Sequence, residues 1–163
     1  VLWKGSAEQV RQFVRFDDGV IERITNTENR PLIVIAPHFA GLDASGIALN
    51  LYVRGVSLYQ RQTNPVWDKA AFDGRKRFSD PILIAKGTHH DLRPIMLVDE
   101  MTETGYQVHS TDLWENFPTD DYEADTLRVT QVLEEWIRKY PDQYMWTHRR
   151  FKTRPEGEAS LYQ

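Results

Sequence analysis

The sequence predicts an α/β domain, a largely parallel open sheet flanked by helices. Three observations carry that expectation. Short apolar runs alternate along the chain with segments of helical period, as in sheets whose strands are joined by helices. The first run, "PLIVIAP" at residues 31–37, is continuously apolar and bounded by prolines, as expected for a strand covered on both faces. At 163 residues, 40% hydrophobic and 27% charged, the chain can bury one sizeable core and is too apolar to stay disordered.

Each element follows in order. Residues 7–16, "AEQVRQFVRF", place Val10, Phe13 and Val14 at helical spacing with charge on the opposite face. "DDG" at 17–19 is a turn signal. After the apolar run, "GLDASGIALNLYV" reads as a helix ending near Gly55, and "VSLYQ" at 56–60 as a second strand. "NPVWDKAAFDGRKRF" opens with Asn64 as N-cap and Pro65 at the first helical position. "ILIAK" at 82–86 is a third strand, and "THHDLRPIM" at 88–96 opens another helix. "GYQVHST" at 105–111 alternates like a half-buried strand. From Asp121 to Tyr140 the chain is helical, with Val129, Val132, Leu133, Trp136, Ile137 and Tyr140 on one face and Pro141 as the stop. There is no repeat, low-complexity tract or linker, so residues 1–163 are expected to form one domain.

Composition narrows the function classes. A net charge of −4 argues against a general affinity for nucleic acid. The absence of cysteine excludes disulfides, thiolate catalysis and cysteine zinc sites, and suits a cytoplasmic location. No segment here has the 18 or so apolar residues that span a bilayer, so any membrane contact by these residues is expected from the side.

The candidate chemistry sits in "PHFAGLD". His38 ends the first buried strand, where open α/β sheets place their active sites. Asp43 follows five residues later, in the first turn of the next helix, within reach of His38 once the chain reverses. A carboxylate accepting from one ring nitrogen would fix the tautomer and leave the other nitrogen as a general base. Gly41 would allow close approach of backbone to a ligand, and the amides at the helix start could hold an oxyanion. The spacing alone is equally compatible with a strand-end histidine bonded to backbone and an acid placed for the helix dipole.

Read together, several segments resemble one family. "HFAGLD" is similar to the H-x4-D/E motif of the lysophospholipid acyltransferase superfamily. "VSLYQRQTNPVWD" at 56–68, "GRKRF" at 74–78 and above all "PDQYMWTHRRFKTRPEG" at 141–157 resemble the lipid A biosynthesis acyltransferases, the lauroyl and myristoyl transferases of Gram-negative bacteria. The resemblance covers nearly the whole chain and implies a glycerolipid-acyltransferase-like fold. The chain departs from the family pattern twice. It is expected to lack the N-terminal membrane anchor, and several dozen residues, including a Pro-Asp…Gly block, are expected between about Met96 and Met101.

The resemblance implies transfer of a fatty acyl chain from acyl-carrier protein, as co-substrate, to a hydroxyl of a lipid A precursor at the cytoplasmic face of the inner membrane. No cofactor or metal is implied. Acyl-carrier protein, the lipid A precursor and the membrane surface would be the partners. By resemblance, His38 deprotonates the hydroxyl and Asp43 orients it. Arg61, Arg75, Arg77, Arg149, Arg150, Lys152 and Arg154 are the cations available for the precursor's phosphates. Acidic carrier protein or anionic headgroups are the alternative targets, and a solvated cationic segment is the plain one. Arg75 and Arg77 could equally form salt bridges on a helix surface. Acceptors such as glycerol-phosphate or a lysolipid, and a non-catalytic lipid- or carrier-binding remnant, stay open.

Three further features have simpler readings. Thr88 and Asp91 resemble a capping box better than a metal site, because adjacent histidines on a helix diverge by about 100°. Trp136 belongs to the core, whereas Trp114, beside Phe117 in a loop, is either core or lipid-facing. Asn64 is most simply a helix cap, although its block could border the active site.

Overall fold

The computed structural model describes residues 1–26, 32–54, 63–79 and 93–162. The expected strands at 56–60 and 82–86, Arg61 and the Thr88–Asp91 cap lie outside these residues. The described elements, in chain order, are α1 (Ala7–Phe13), β1 (Val14–Phe16), α2 (Val20–Thr25), β2 (Leu32–Ile35), α3 (Leu42–Leu49), α4 (Pro65–Arg75), β3 (Arg93–Thr102), β4 (Gly105–Ser110) and α5 (Tyr122–Lys139).

The strands form an open sheet in the order β1-β4-β3-β2. β1 runs parallel to β4 and β2 parallel to β3, while β3 and β4 form an antiparallel hairpin from Leu97↔Ser110 to Thr102↔Gly105. The fold is therefore α/β with a mixed sheet, two of the three pairings among the described strands being parallel.

β3 explains the core. Side chains on a strand alternate between faces, so Ile95 and Leu97 point one way and Met96 and Val98 the other. The first pair packs with Val10 and Val14, with Val20 and Ile24, and with Ala44 and Ala48 of α3. The second packs with Phe39, Trp114, Leu133 and Tyr144, and with Val129, Val132, Trp136, Ile137 and Tyr140. The apolar stripe of α5 is thus the one its periodicity implies.

Several expectations are corrected. Arg93–Met96 open a strand, not a helix, because "IMLV" is an uninterrupted apolar run buried on both faces at the centre of the sheet. β2 is not covered on both faces: the successive residues Ile33 and Val34, which point to opposite faces, are 41% and 37% exposed, so what packs over this outermost described strand covers neither face fully. The first helix stops at Phe13, and Val14–Phe16 leave it to pair with β4. α3 ends at Leu49, well before Gly55. Trp114 is 5% exposed, edge-on to Phe117 and under the Arg128 guanidinium, so it is core and not lipid-facing. No helix among the described residues is long and apolar enough to cross a membrane.

Candidate functional site

His38 lies in the loop between β2 and α3, at the carboxyl end of a strand as its sequence position implies. What fixes the loop is the distant tail. The Ala40 amide donates to the Gln143 carbonyl (2.8 Å), and the Met145 amide to the His38 carbonyl (2.9 Å). Between them Phe39 and Tyr144 form an antiparallel bridge, with their rings packed edge to face at 5.5 Å. Phe39 is fully buried, so the anchor is apolar as well as hydrogen-bonded. This strip brings "HFAGLD" against "YMWTHRR". The His38 ring stacks on that of His148, with centroids 3.9 Å apart and planes 10° from parallel.

His38 is exposed, yet its pKa lies below the ordinary imidazole value. Partial desolvation of the ring is the first cause, and the charges of His148 and Arg150 act in the same direction. The neutral imidazole that results is the form able to accept a proton.

Asp43 stands in the first turn of α3, but its partner is not His38. Arg75, at the end of α4, donates from Nε (3.1 Å) and Nη2 (2.8 Å) to Asp43 Oδ1. Among the described residues, no hydrogen bond joins the His38 and Asp43 side chains. Gly41 does permit a close approach, but to the sheet: a Cβ there would sit 2.4 Å from Asp99 Cβ and 2.8 Å from Tyr106 Cδ1.

The other candidate residues divide into two groups. Arg77 donates to the Leu2 and Gly5 carbonyls and so ties down the first turn of the chain. Arg154 pairs with Glu158, and Asn64 caps α4 by accepting from the Val66 (2.9 Å) and Trp67 (3.3 Å) amides. By contrast, Arg149, Arg150 and Lys152 are exposed in the tail beside His148, with Arg149 over the Tyr162 ring. The site is open. A concavity of about 350 Å³, lined by Arg11, Phe16, Asp17 and Tyr52, lies beside β1 and contains none of these residues.

Two polar centres escaped the sequence reading. His109 on β4 bonds to Asp17 Oδ2 through Nδ1 (2.8 Å) and to Glu100 Oε2 through Nε2 (3.0 Å), with Tyr140 Oη 3.2 Å from Nε2. Its ring stacks on those of Trp136 and Tyr140. Burial alone would raise the Asp17 carboxyl, but hydrogen bonds from His109 and Gln107 outweigh it and hold it below the usual value. Asp99 is fully buried and, among the described residues, neither carboxyl oxygen has a hydrogen-bond partner, so burial pushes its pKa up to about 6. Ser45 and the charge of His109 oppose that rise, although the Ser45 hydroxyl donates to the Leu42 carbonyl (3.2 Å). No spacing rule flags either centre, because their members come from separate elements. His148 does stand within a quoted motif, but nothing local links it to His38.

Comparison with known proteins completes the picture. The family model "Bacterial lipid A biosynthesis acyltransferase" matches residues 2–97 and 79–153. The lipid A biosynthesis palmitoleoyltransferase of Escherichia coli K12 is 41% identical over 68 residues, which is 42% of this chain and 22% of that relative. The lipid A biosynthesis lauroyltransferase of the same organism is 25% identical over 190 residues, covering 86% of this chain and 62% of the relative. A lipid A biosynthesis acyltransferase of Haemophilus influenzae is 23% identical over 214 residues, with 99% and 68% covered. The chain thus spans between about a fifth and two thirds of the relatives it matches. With the family model running across both the histidine loop and the cationic tail, the chain belongs to the bacterial lipid A biosynthesis acyltransferase family.

Proposed function

We propose that this chain carries the acyl-transfer centre of a lipid A acyltransferase. The donor is a fatty acyl thioester of acyl-carrier protein, and the acceptor is a hydroxyl of a lipid A precursor at the cytoplasmic face of the inner membrane. The observation that carries the proposal is the pairing of the His38 loop with the cationic tail, supported by the family match over both segments.

In this reading neutral His38 takes the proton of the acceptor hydroxyl as its oxygen attacks the thioester carbonyl. The tetrahedral intermediate collapses with loss of the thiolate, which takes the proton back from His38 and leaves as thiol. Asp43 orients the imidazole. Both Arg75 bonds fall on Oδ1, which leaves Oδ2 for a ring N–H, and catalytic hydrogen bonds often tighten only when substrate is bound. Arg149, Arg150 and Lys152 meet the phosphates of the precursor. With no cysteine in the chain, direct transfer is more economical than a thioester-linked enzyme intermediate.

The test is transfer from acyl-carrier protein by purified His38→Ala. General-base loss is expected to lower turnover about 10²–10⁴-fold, and undiminished turnover would end the proposal. For the unaltered protein, the acidic limb of the pH–rate profile should fall below pH 6.5, the direction in which the His38 pKa is displaced. A panel containing glycerol-phosphate and lysolipid acceptors checks the acceptor class.

One observation favours a second reading, a lipid- or carrier-binding form without turnover. β3 runs unbroken from Arg93 to Thr102, through the point where the family pattern has further residues. Binding of acyl-carrier protein with no transfer to any acceptor in the panel would select it.

A further inference from the structure

Residues 144–154 bring together two things, cations without an acid among them and exposed large apolar side chains. They hold four cations (Arg149, Arg150, Lys152 and Arg154) and no acid, in a protein with 24 acidic residues and a net charge of −4. They also expose large apolar side chains: Trp146 is 66%, Phe151 54% and Met145 43% exposed. Such exposure costs hydration free energy unless something covers it.

The segment is nevertheless held in place. Its first residues pair with the His38 loop, the Trp146 indole N–H donates to the Pro141 carbonyl (2.7 Å), and the Phe151 amide donates to the Tyr162 hydroxyl (2.9 Å). The aromatic groups are presented on a fixed backbone, which lowers the ordering cost of docking.

We infer that this tail is an interfacial docking surface that seats on an anionic bilayer. Trp146 and Phe151 enter the headgroup–acyl boundary, while Arg149, Arg150 and Lys152 lie at the level of the headgroup phosphates, those of the membrane-borne precursor among them. Tryptophan is favoured at that depth because its ring is apolar and its N–H polar. Basic side chains beside exposed aromatics are the pattern that binds anionic membranes from the side. An acidic protein partner would account for the cations alone. Because His38 stacks on His148 within the same surface, docking would open the imidazole at the headgroup plane. There a lipid acceptor reaches it without leaving the bilayer, a consequence that rests on the function proposed above.

The test is co-flotation of the full chain with vesicles of phosphatidylcholine alone and of phosphatidylcholine with phosphatidylglycerol, at low and high salt. Binding is expected only to the anionic vesicles, weakened by salt and by about fivefold for each cation removed from Arg149, Arg150 and Lys152. The double variant Trp146→Ala/Phe151→Ala should stay in the soluble fraction. In a cysteine-free chain, a polarity-sensitive dye on Phe151→Cys should shift to the blue on anionic vesicles, whereas one on Gln131→Cys, exposed on α5, should not. That readout needs no loss-of-binding variant to fold. Equal shifts at the two sites, binding indifferent to lipid charge, or binding to acyl-carrier protein but to no vesicle would each overturn the inference. Flotation and turnover of the unaltered chain keep the two questions separate: if it floats but transfers no acyl group only the reaction falls, and if it transfers without floating only the docking surface does, while His38→Ala should float and not turn over.

Discussion

At Asp99 a fully buried carboxyl stands on the central strand, directly under the Gly41 backbone, with both oxygens lacking a partner among the described residues. Its pKa is raised from 3.8 to about 6, so the folded protein holds this proton more tightly than the unfolded chain does. Stability from this group is therefore lost as pH rises between about 4 and 6, and the penalty is fully present above 6. Asp99→Asn keeps the shape and removes the charge. It should stabilise the protein at pH 7 by about 3 kcal/mol and flatten the stability profile across that window, as read by urea unfolding at a series of pH values. At His109 the situation is reversed: both ring nitrogens have carboxylate partners, and the buried ring is fully used.

At the scale of elements, structure set by near neighbours in the chain is legible in the sequence. Asn64-Pro65 forms the α4 cap that the sequence announces, and its cost is testable. Asn64→Ala should lower stability by about 1 kcal/mol, while Asn64→Asp, equally able to accept from the amides, should keep it, as measured by thermal unfolding. The apolar stripe of α5 was legible because six side chains share one helical face. The start of β3 is not legible in this way, because "RPIMLV" carries no period and a short apolar run suits a buried helix or a buried strand alike. α1 carries a local signal of the same kind, since Ser6 and Gln9 form a reciprocal capping box.

At the scale of the molecule, one residue links the core to the site. Phe39 is fully buried between the loop that carries His38 and the tail that carries His148. Phe39→Ala should cost about 3–5 kcal/mol in urea unfolding. It should also speed hydrogen exchange at the Ala40 and Met145 amides, whose bonds form the strip between the two segments. The candidate site was legible as two separate motifs, and their meeting was not. Nothing in either motif specifies a register of Phe39 against Tyr144.

The sequence by itself determined the α/β class, the family, the capped α4, the amphipathic α5 and the two motifs that carry the candidate chemistry. Each of these depends on neighbours a few residues apart or on a motif contiguous in the chain. Only the tertiary structure decided that Asp43 faces Arg75, that His38 lies on His148, that β2 is partly exposed on both faces and that Asp99 is buried without a partner among the described residues. Those outcomes depend on which surfaces pack together, and a side chain's partner and its solvation are set by elements far away in the chain.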